Sequence, residues 1–222
     1  MTVSFENEEF RDIRILGSNR TYQSTRIAGC KFSACHLAQF DDPEFNLVIK
    51  DAAIENCGFD RCSIQGVMFD NVVIEGMRFK QLHRVYGCVF RNVRFLGKVG
   101  PVIVMGPHAS LARREKMADG IIRKYREIDW AVDISEAIFS DADFHYVPGH
   151  LIRRDPETQI LLHREKFVDI PASDFPPYAR IWVSRFEVSP FDSLVAVAPK
   201  ASRKFADYMR DLVWMRENDL AE

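Results

Sequence analysis

Residues 47–79 read LVIKDAAIENCGFDRCSIQGVMFDNVVIEGMRF, and a large apolar residue returns at every fifth position: Ile49, Ile54, Phe59, Ile64, Phe69, Ile74 and Phe79. Two residues before each stands a second, mostly smaller apolar side chain: Leu47, Ala52, Cys57, Cys62, Val67, Val72 and Met77. A helix repeats near 3.6 residues and a strand every 2, so neither puts this pattern on one face. A chain that turns a corner every five residues does.

The step continues outward from this stretch. Tyr22, Ile27, Phe32 and Leu37 keep it, as do Phe5, Phe10 and Ile15 before them. Phe90 and Phe95 resume it after Val85, with Cys88 and Val93 in the small positions. Ile134, Phe139 and Phe144 carry a last run. The breaks at 15–22 and 37–49 are whole pentads plus two residues, and Asp41-Asp42-Pro43-Glu44 has the turn chemistry of a small corner loop.

These residues resemble the pentapeptide-repeat family, whose unit is a small residue, Asp or Asn, then Leu or Phe, then two variable polar residues. Ala142-Asp143-Phe144-His145-Tyr146 fits best, while Cys57-Gly58-Phe59-Asp60-Arg61 and Cys62-Ser63-Ile64-Gln65-Gly66 keep the two inward positions without the acid or amide between them. The resemblance covers residues 3–97 and 132–147. It implies a mainly β fold: a right-handed quadrilateral β-helix of four pentads per coil, with an inserted α-helix and a C-terminal α/β extension ending in an amphipathic helix.

In such a coil residues about twenty apart stack, so Ile54 is expected against Ile74, Phe59 against Phe79 and Phe69 against Phe90. The core expected from the repeat is Ile49, Ile54, Phe59, Ile64, Phe69, Ile74, Phe79, Phe90, Phe95, Phe139 and Phe144. Burying each side chain of this size contributes roughly 1.5–3 kcal/mol before conformational entropy is subtracted. No single coil buries its own face, so stability comes from stacked neighbours and the ends need caps.

The sequence divides into residues 1–147, interrupted by a helical insertion at about 98–131, and a C-terminal extension at 148–222. Gly97-Lys98-Val99-Gly100-Pro101 breaks the pattern, and Val102-Ile103-Val104-Met105 reads as a short strand. Leu111 to Trp130 reads as a helix, with Leu111, Ala118, Ile121, Ile122, Tyr125 and Ile128 on one stripe and a charged opposite face. Gly120 weakens it by about 1 kcal/mol relative to alanine. Asp155-Pro156-Glu157-Thr158 has turn composition between Leu151-Ile152 and Ile160-Leu161-Leu162, which predicts a hairpin. Ile181–Val188 and Ser193–Ala198 are strand candidates. From Ser202, taken as an N-cap, an amphipathic helix carries Phe205, Tyr208, Met209, Leu212, Val213 and Met215. It is read as a cap on one end of the coil, with a homodimer contact as the alternative.

The 222 residues are 47% apolar and 28% charged with a net charge of −2, an ordinary globular composition without the basic excess of a nucleic-acid binder. No apolar run approaches the ~20 residues of a membrane span, and the acidic start is not a signal peptide, so a cytoplasmic location is expected. Cys30, Cys35, Cys57, Cys62 and Cys88 all fall in the small inward position, which reads as buried free thiols rather than as a zinc site.

No phosphate loop, Gly-x-Ser-x-Gly or His-Glu-x-x-His occurs, and no cofactor is expected. Three functional readings result. The first is a non-enzymatic scaffold that binds a protein partner, modulating or neutralising an intracellular enzyme or toxin. The second comes from the resemblance, because some pentapeptide-repeat proteins imitate DNA and bind gyrase. Leu47–Lys80 carries five acids against four bases, a poor phosphate mimic. The third is a metal-dependent enzyme built on His145, His150, Asp155 and His163, the densest group of candidate ligands.

Overall fold

A computed structural model describes residues 3–222. The strands of the first hundred residues pair in parallel from one circuit to the next, with Arg78–Phe79 ending its sheet, and the result is three sheets. A four-stranded sheet stacks Glu9–Arg11, Lys31–Ser33, Gly58–Asp60 and Arg78–Phe79. A six-stranded sheet runs from Arg14–Leu16 through His36–Ala38, Ser63–Gln65, His83–Tyr86 and Val102–Met105 to Ala142–Asp143. The third, nine-stranded, is organised on Leu47–Glu55, Met68–Glu75 and Val89–Val99.

The single closed quadrilateral β-helix expected from the pentads is therefore corrected. The pentad count treats residues 47–50 and 52–55 as separate sides, yet the same strands pair on both sides of the corner and keep their register across it. Lys50, Asp70 and Arg91 are in register before it, and Ala52, Val72 and Val93 after it. The corner residues Asp51, Asn71 and Asn92 take φ of +50°, +54° and +55°. Asp and Asn tolerate this left-handed region best among side-chain-bearing residues, so the strand bends there without ending. The Asn71 amide also donates to Asp51 Oδ1 at 2.7 Å. A helix and an antiparallel layer further interrupt and cover the parallel stack.

A second corner column consists of Asn and Gly, alternating as Asn7, Gly29, Asn56 and Gly76 and ending on a second glycine, Gly97, all at positive φ. A Cβ built on Gly29 would collide with Asn7 Oδ1, and one on Gly76 with Asn56 Oδ1, so each amide occupies the room that the following glycine leaves.

The apolar pentad residues face one interior. Ile54, Phe69, Ile74, Phe90, Phe95, Phe139 and Phe144 are buried, and Ile49, Phe59, Ile64 and Phe79 are half-buried and packed against them. Ile54 aligns with Ile74, Phe59 with Phe79 and Phe69 with Phe90. Rings form ladders: Phe10 on Phe32 at 5.0 Å, Phe32 on Phe59 at 4.9 Å, and Phe69 on Phe90 at 5.4 Å, all nearly parallel. Such pairs add about 0.5–1.5 kcal/mol each beyond area burial. All five cysteines are free, and several thiols donate to backbone carbonyls of the stack. Burial pushes the Cys88 thiol up to about 12, an inert structural group.

The insertion is narrower than residues 98–131. Val99 still belongs to the large sheet and Val102–Met105 to the six-stranded one, so the chain leaves the stack only after Met105. Helix α1 (Arg114–Tyr125) buries Met117, Ile121 and Tyr125 in the main core, and the Tyr125 hydroxyl accepts the Phe90 N–H at 3.3 Å. The helix lies so close to the corner loop that a Cβ on Gly120 would overlap the Pro43 carbonyl. Glu44 of that loop pairs with Arg123 and Lys124.

The C-terminal extension differs from expectation in three places. Ile152–Arg153 joins the large sheet in parallel beside Val132–Asp133 rather than folding back on Ile160–Leu162. The antiparallel partner of Gln159–His163 is Ser193–Val197. Ile181–Val188, a strand candidate, lies instead in helix α2 (Pro177–Ser184) and the short 3-10 turn after it, because Pro177 occupies the first helical turn, where its missing N–H costs nothing. Helix α3 spans Phe205–Glu217, and Ser202 lies before it without capping it. The α2 N-terminus is satisfied from α3, since buried Asp211 accepts the Tyr178 N–H at 2.7 Å.

The antiparallel pair is buried on both faces. Leu161, Val195 and Val197 face the main core, while Ile160, Leu162, Leu194 and Ala196 face a second core built with Phe167, Phe175, Phe186, Leu212 and Met215. Side chains that alternate along a strand let two adjacent residues serve two cores.

Candidate functional site

The two ends of the parallel stack are different. At the far end the antiparallel pair lies over Ala142–Asp143, with helices α2 and α3 packed on that pair. At the other, Val3–Glu6, Glu9–Arg11 and Arg14–Leu16 are the outermost strands of their three sheets, and among the described residues nothing pairs with their outer edges. Phe5, Phe10 and Ile15 are half-buried there; in the Phe5 column burial is complete two circuits on at Ile54, whereas Phe32, Phe59 and Phe79 above Phe10 stay half-buried throughout. Val3, Ile13 and Leu16 are 49, 40 and 47% exposed, and Tyr22 and Phe40 stand open nearby. Edge strands with free backbone groups beside apolar side chains are templates for another chain.

A second feature is a cavity of about 190 Å³ between the last circuit and the C-terminal layer. Its inner wall holds Asp143 and His145, its outer wall Trp182, Arg185 and Tyr208, and Asp141 stands at the mouth. His145, 6% exposed, is oriented by Asp143: Nδ1 and Oδ1 are 2.8 Å apart, and the His145 backbone N–H donates to the same oxygen at 3.0 Å. Arg185 Nε lies 2.6 Å from Asp143 Oδ2 without aiming its N–H there, a contact of charges rather than a hydrogen bond.

Burial pushes the Asp143 carboxyl up, but the His145 hydrogen bond and the charges of His145 and Arg185 outweigh it and hold the group below the usual carboxylate range. Asp141 is moved the other way. Although the residue is exposed on its outer side, partial enclosure of its carboxyl and the Asp143 charge beside it raise its pKa. Tyr208 is raised by burial and by the nearby Asp141.

The histidines and aspartate proposed as a metal set do not come together. His145 is held by Asp143, His150 Nδ1 lies 3.0 Å from Ser193 Oγ, and His163 Nε2 lies 3.4 Å from Glu222. Asp155 is taken up by Lys200 at 2.9 Å and by Thr158 at 2.7 Å. Among the described residues no three His, Cys, Asp or Glu side chains are grouped to hold a metal ion. The outward charges of the large sheet alternate along the stack as Lys50, Asp70 and Arg91, with Asp70 buried and gripped by the Arg91 guanidinium through Nε at 2.8 Å.

Helix α3 spends its apolar face on its own chain, where Phe205, Tyr208, Met209, Leu212 and Met215 join the second core, and Val213 is left 43% exposed. No helix among the described residues is long and apolar enough to cross a membrane. Trp182, Arg185 and Tyr208 carried no sequence signal for a site, because Tyr208 reads as one more residue of an amphipathic stripe and the other two lie in a segment of ambiguous period. Comparison with known family models finds no match, and comparison with curated proteins finds none.

Proposed function

We propose that the protein is a non-enzymatic, cytoplasmic binding scaffold whose working surface is the uncovered end of the parallel stack, and that its partner is another protein presenting a strand edge. The observation that carries this is the asymmetry of the ends. At the far end the antiparallel pair and the helices behind it cover Ala142–Asp143, while Val3–Glu6, Glu9–Arg11 and Arg14–Leu16 leave three sheet edges and the exposed Val3, Ile13 and Leu16 without a cover among the described residues. A stacked scaffold loses little conformational freedom when a partner continues its ladders, so more of the contact free energy appears as affinity. The resemblance of the pentads to a family of scaffolding repeats supports the same reading.

Capture from native cells with three tagged forms tests it. The wild-type chain and a Val213→Lys control should retain one common partner, whereas the double variant Ile13→Lys/Leu16→Lys should lose it with its circular dichroism unchanged. Equal capture by all three would refute the assignment of the face, and a dimer as the sole retained species would make the partner a second copy.

A further inference from the structure

We propose that the uncovered end of the stack takes the same end of a second copy of this chain, the two molecules joining head to head about a two-fold axis through Phe10. The inference rests on that end being the working surface, and it names what the surface binds. Val3–Glu6, Glu9–Arg11 and Arg14–Leu16 follow one another around the interior, one on each of the three sheets. The middle strand engages the next circuit through the Glu8 carbonyl and the Asp12 N–H at its two ends. Parallel ladders are engaged by alternate residues, so Phe10 bonds toward the stack while Glu9 and Arg11 point their N–H and C=O away from it. The same alternation frees Ser4 and Glu6 on the first strand and Arg14 and Leu16 on the third.

These free groups are self-complementary. An axis through Phe10 runs the two middle strands antiparallel and sets Glu9 against Arg11 of the partner subunit, a pair that exchanges two backbone hydrogen bonds, with Phe10 on the partner's Phe10. The axis also exchanges the outer strands. Phe5 then faces the partner's Ile15, Glu6 the partner's Arg14 and Ser4 the partner's Leu16, again with free backbone groups opposite one another. Because the chain climbs steadily around the interior, the lowest strand of one copy meets the highest of the other, and all three separations come out equal. Each half-buried Phe5, Phe10 and Ile15, flanked by exposed neighbours, gains an apolar cover, and acid meets base across every strand pair. At the corners Glu8 meets the partner's Asp12, a like-charged contact between two exposed side chains. The next register, centred on Glu9, puts Phe10 on the partner's Glu8 and Glu9 on the partner's Glu9, so charge and hydrophobicity select the first. The contact uses the same end of both molecules, and association closes at two copies.

Sedimentation equilibrium of the full chain tests this, with an expected mass of twice 25.6 kDa. Glu9→Lys sets cation against cation across the axis and Arg11→Glu sets acid against acid, so either variant alone should dissociate roughly tenfold more readily with its circular dichroism unchanged. Mixed, the two variants should re-form a dimer near wild-type affinity, because each introduced charge then faces its opposite. Asp12→Asn removes the corner repulsion at a left-handed backbone position (φ +54°) that asparagine accepts, and should tighten the dimer. A dimer indifferent to both charge reversals, or a mixture that stays dissociated, would overturn the proposal. Monomer at every concentration, together with capture of a partner that Ile13→Lys/Leu16→Lys loses, would strike out the second copy and leave the working surface standing. Equal capture by wild type and that double variant would instead strike out the surface itself.

Discussion

His83 shows how far a single residue can depart from its sequence context. It lies in the strand His83–Tyr86, 7% exposed, stacked flat on Phe79 at 4.5 Å, and its Nε2 has no partner. Burial holds its pKa down to about 4. The unfolded chain takes up the proton near pH 6.5 while the folded one refuses it until about 4, so stability is full above 6.5 and declines as pH falls through that window. The decline should reach about 2–3 kcal/mol in urea titrations at pH 7 and pH 4, and His83→Phe, which keeps the stack, should remove most of it. An unchanged pH dependence in that variant would place the effect elsewhere. Gly120 is a similar case. By propensity alone alanine would strengthen α1, but here a methyl group meets the Pro43 carbonyl, so Gly120→Ala should destabilise by about 1–3 kcal/mol in thermal unfolding.

At the scale of elements, inward and outward positions of one strand should separate sharply. Phe69→Ala and Ile74→Ala empty buried places in Met68–Glu75 and should each cost about 2–5 kcal/mol in denaturant titration. Lys50→Ala should change stability by less than about 0.5 kcal/mol, because Arg91 still grips Asp70 when Lys50, 3.9 Å away, is gone. Arg91→Ala should cost more, since it leaves the buried Asp70 with only that long contact. The inward set was legible because a five-residue step admits few geometries, and the stacked pairs follow from counting around a circuit. The number of sheets was not, because whether a ladder ends at a corner depends on a local φ at Asp51, Asn71 and Asn92 that no apolar period records. Strand pairing beyond Val147 was unreadable for another reason: the partner of Gln159–His163 lies some thirty residues on, behind a proline-started helix. The cavity draws its walls from residues 141–145, 182–185 and 208, which only the folded chain brings together.

For the molecule as a whole, the antiparallel pair decides whether two cores behave as one. Leu161 and Leu162 are neighbours in sequence, yet one packs in the parallel-stack core and the other in the helical core. Neither core can lose its share of this pair without withdrawing it from the other, so the chain should unfold in one transition. Leu161→Ala and Leu162→Ala should each lower stability by about 2–5 kcal/mol and shift the same transition. The probes become distinct in a Trp130→Phe background, since Trp130 stacks on Arg153 of the parallel sheet: Trp182 and Trp214 then report on the helical layer, while the far-ultraviolet β signal reports on the parallel sheets. Coincident fluorescence and circular dichroism curves in that background, alone and with either variant, would establish the coupling. If tryptophan fluorescence moved at lower denaturant than the β signal in Leu162→Ala, the helical layer would be a separately unfolding lid, and the covered end of the stack would depend on it only as a removable cap.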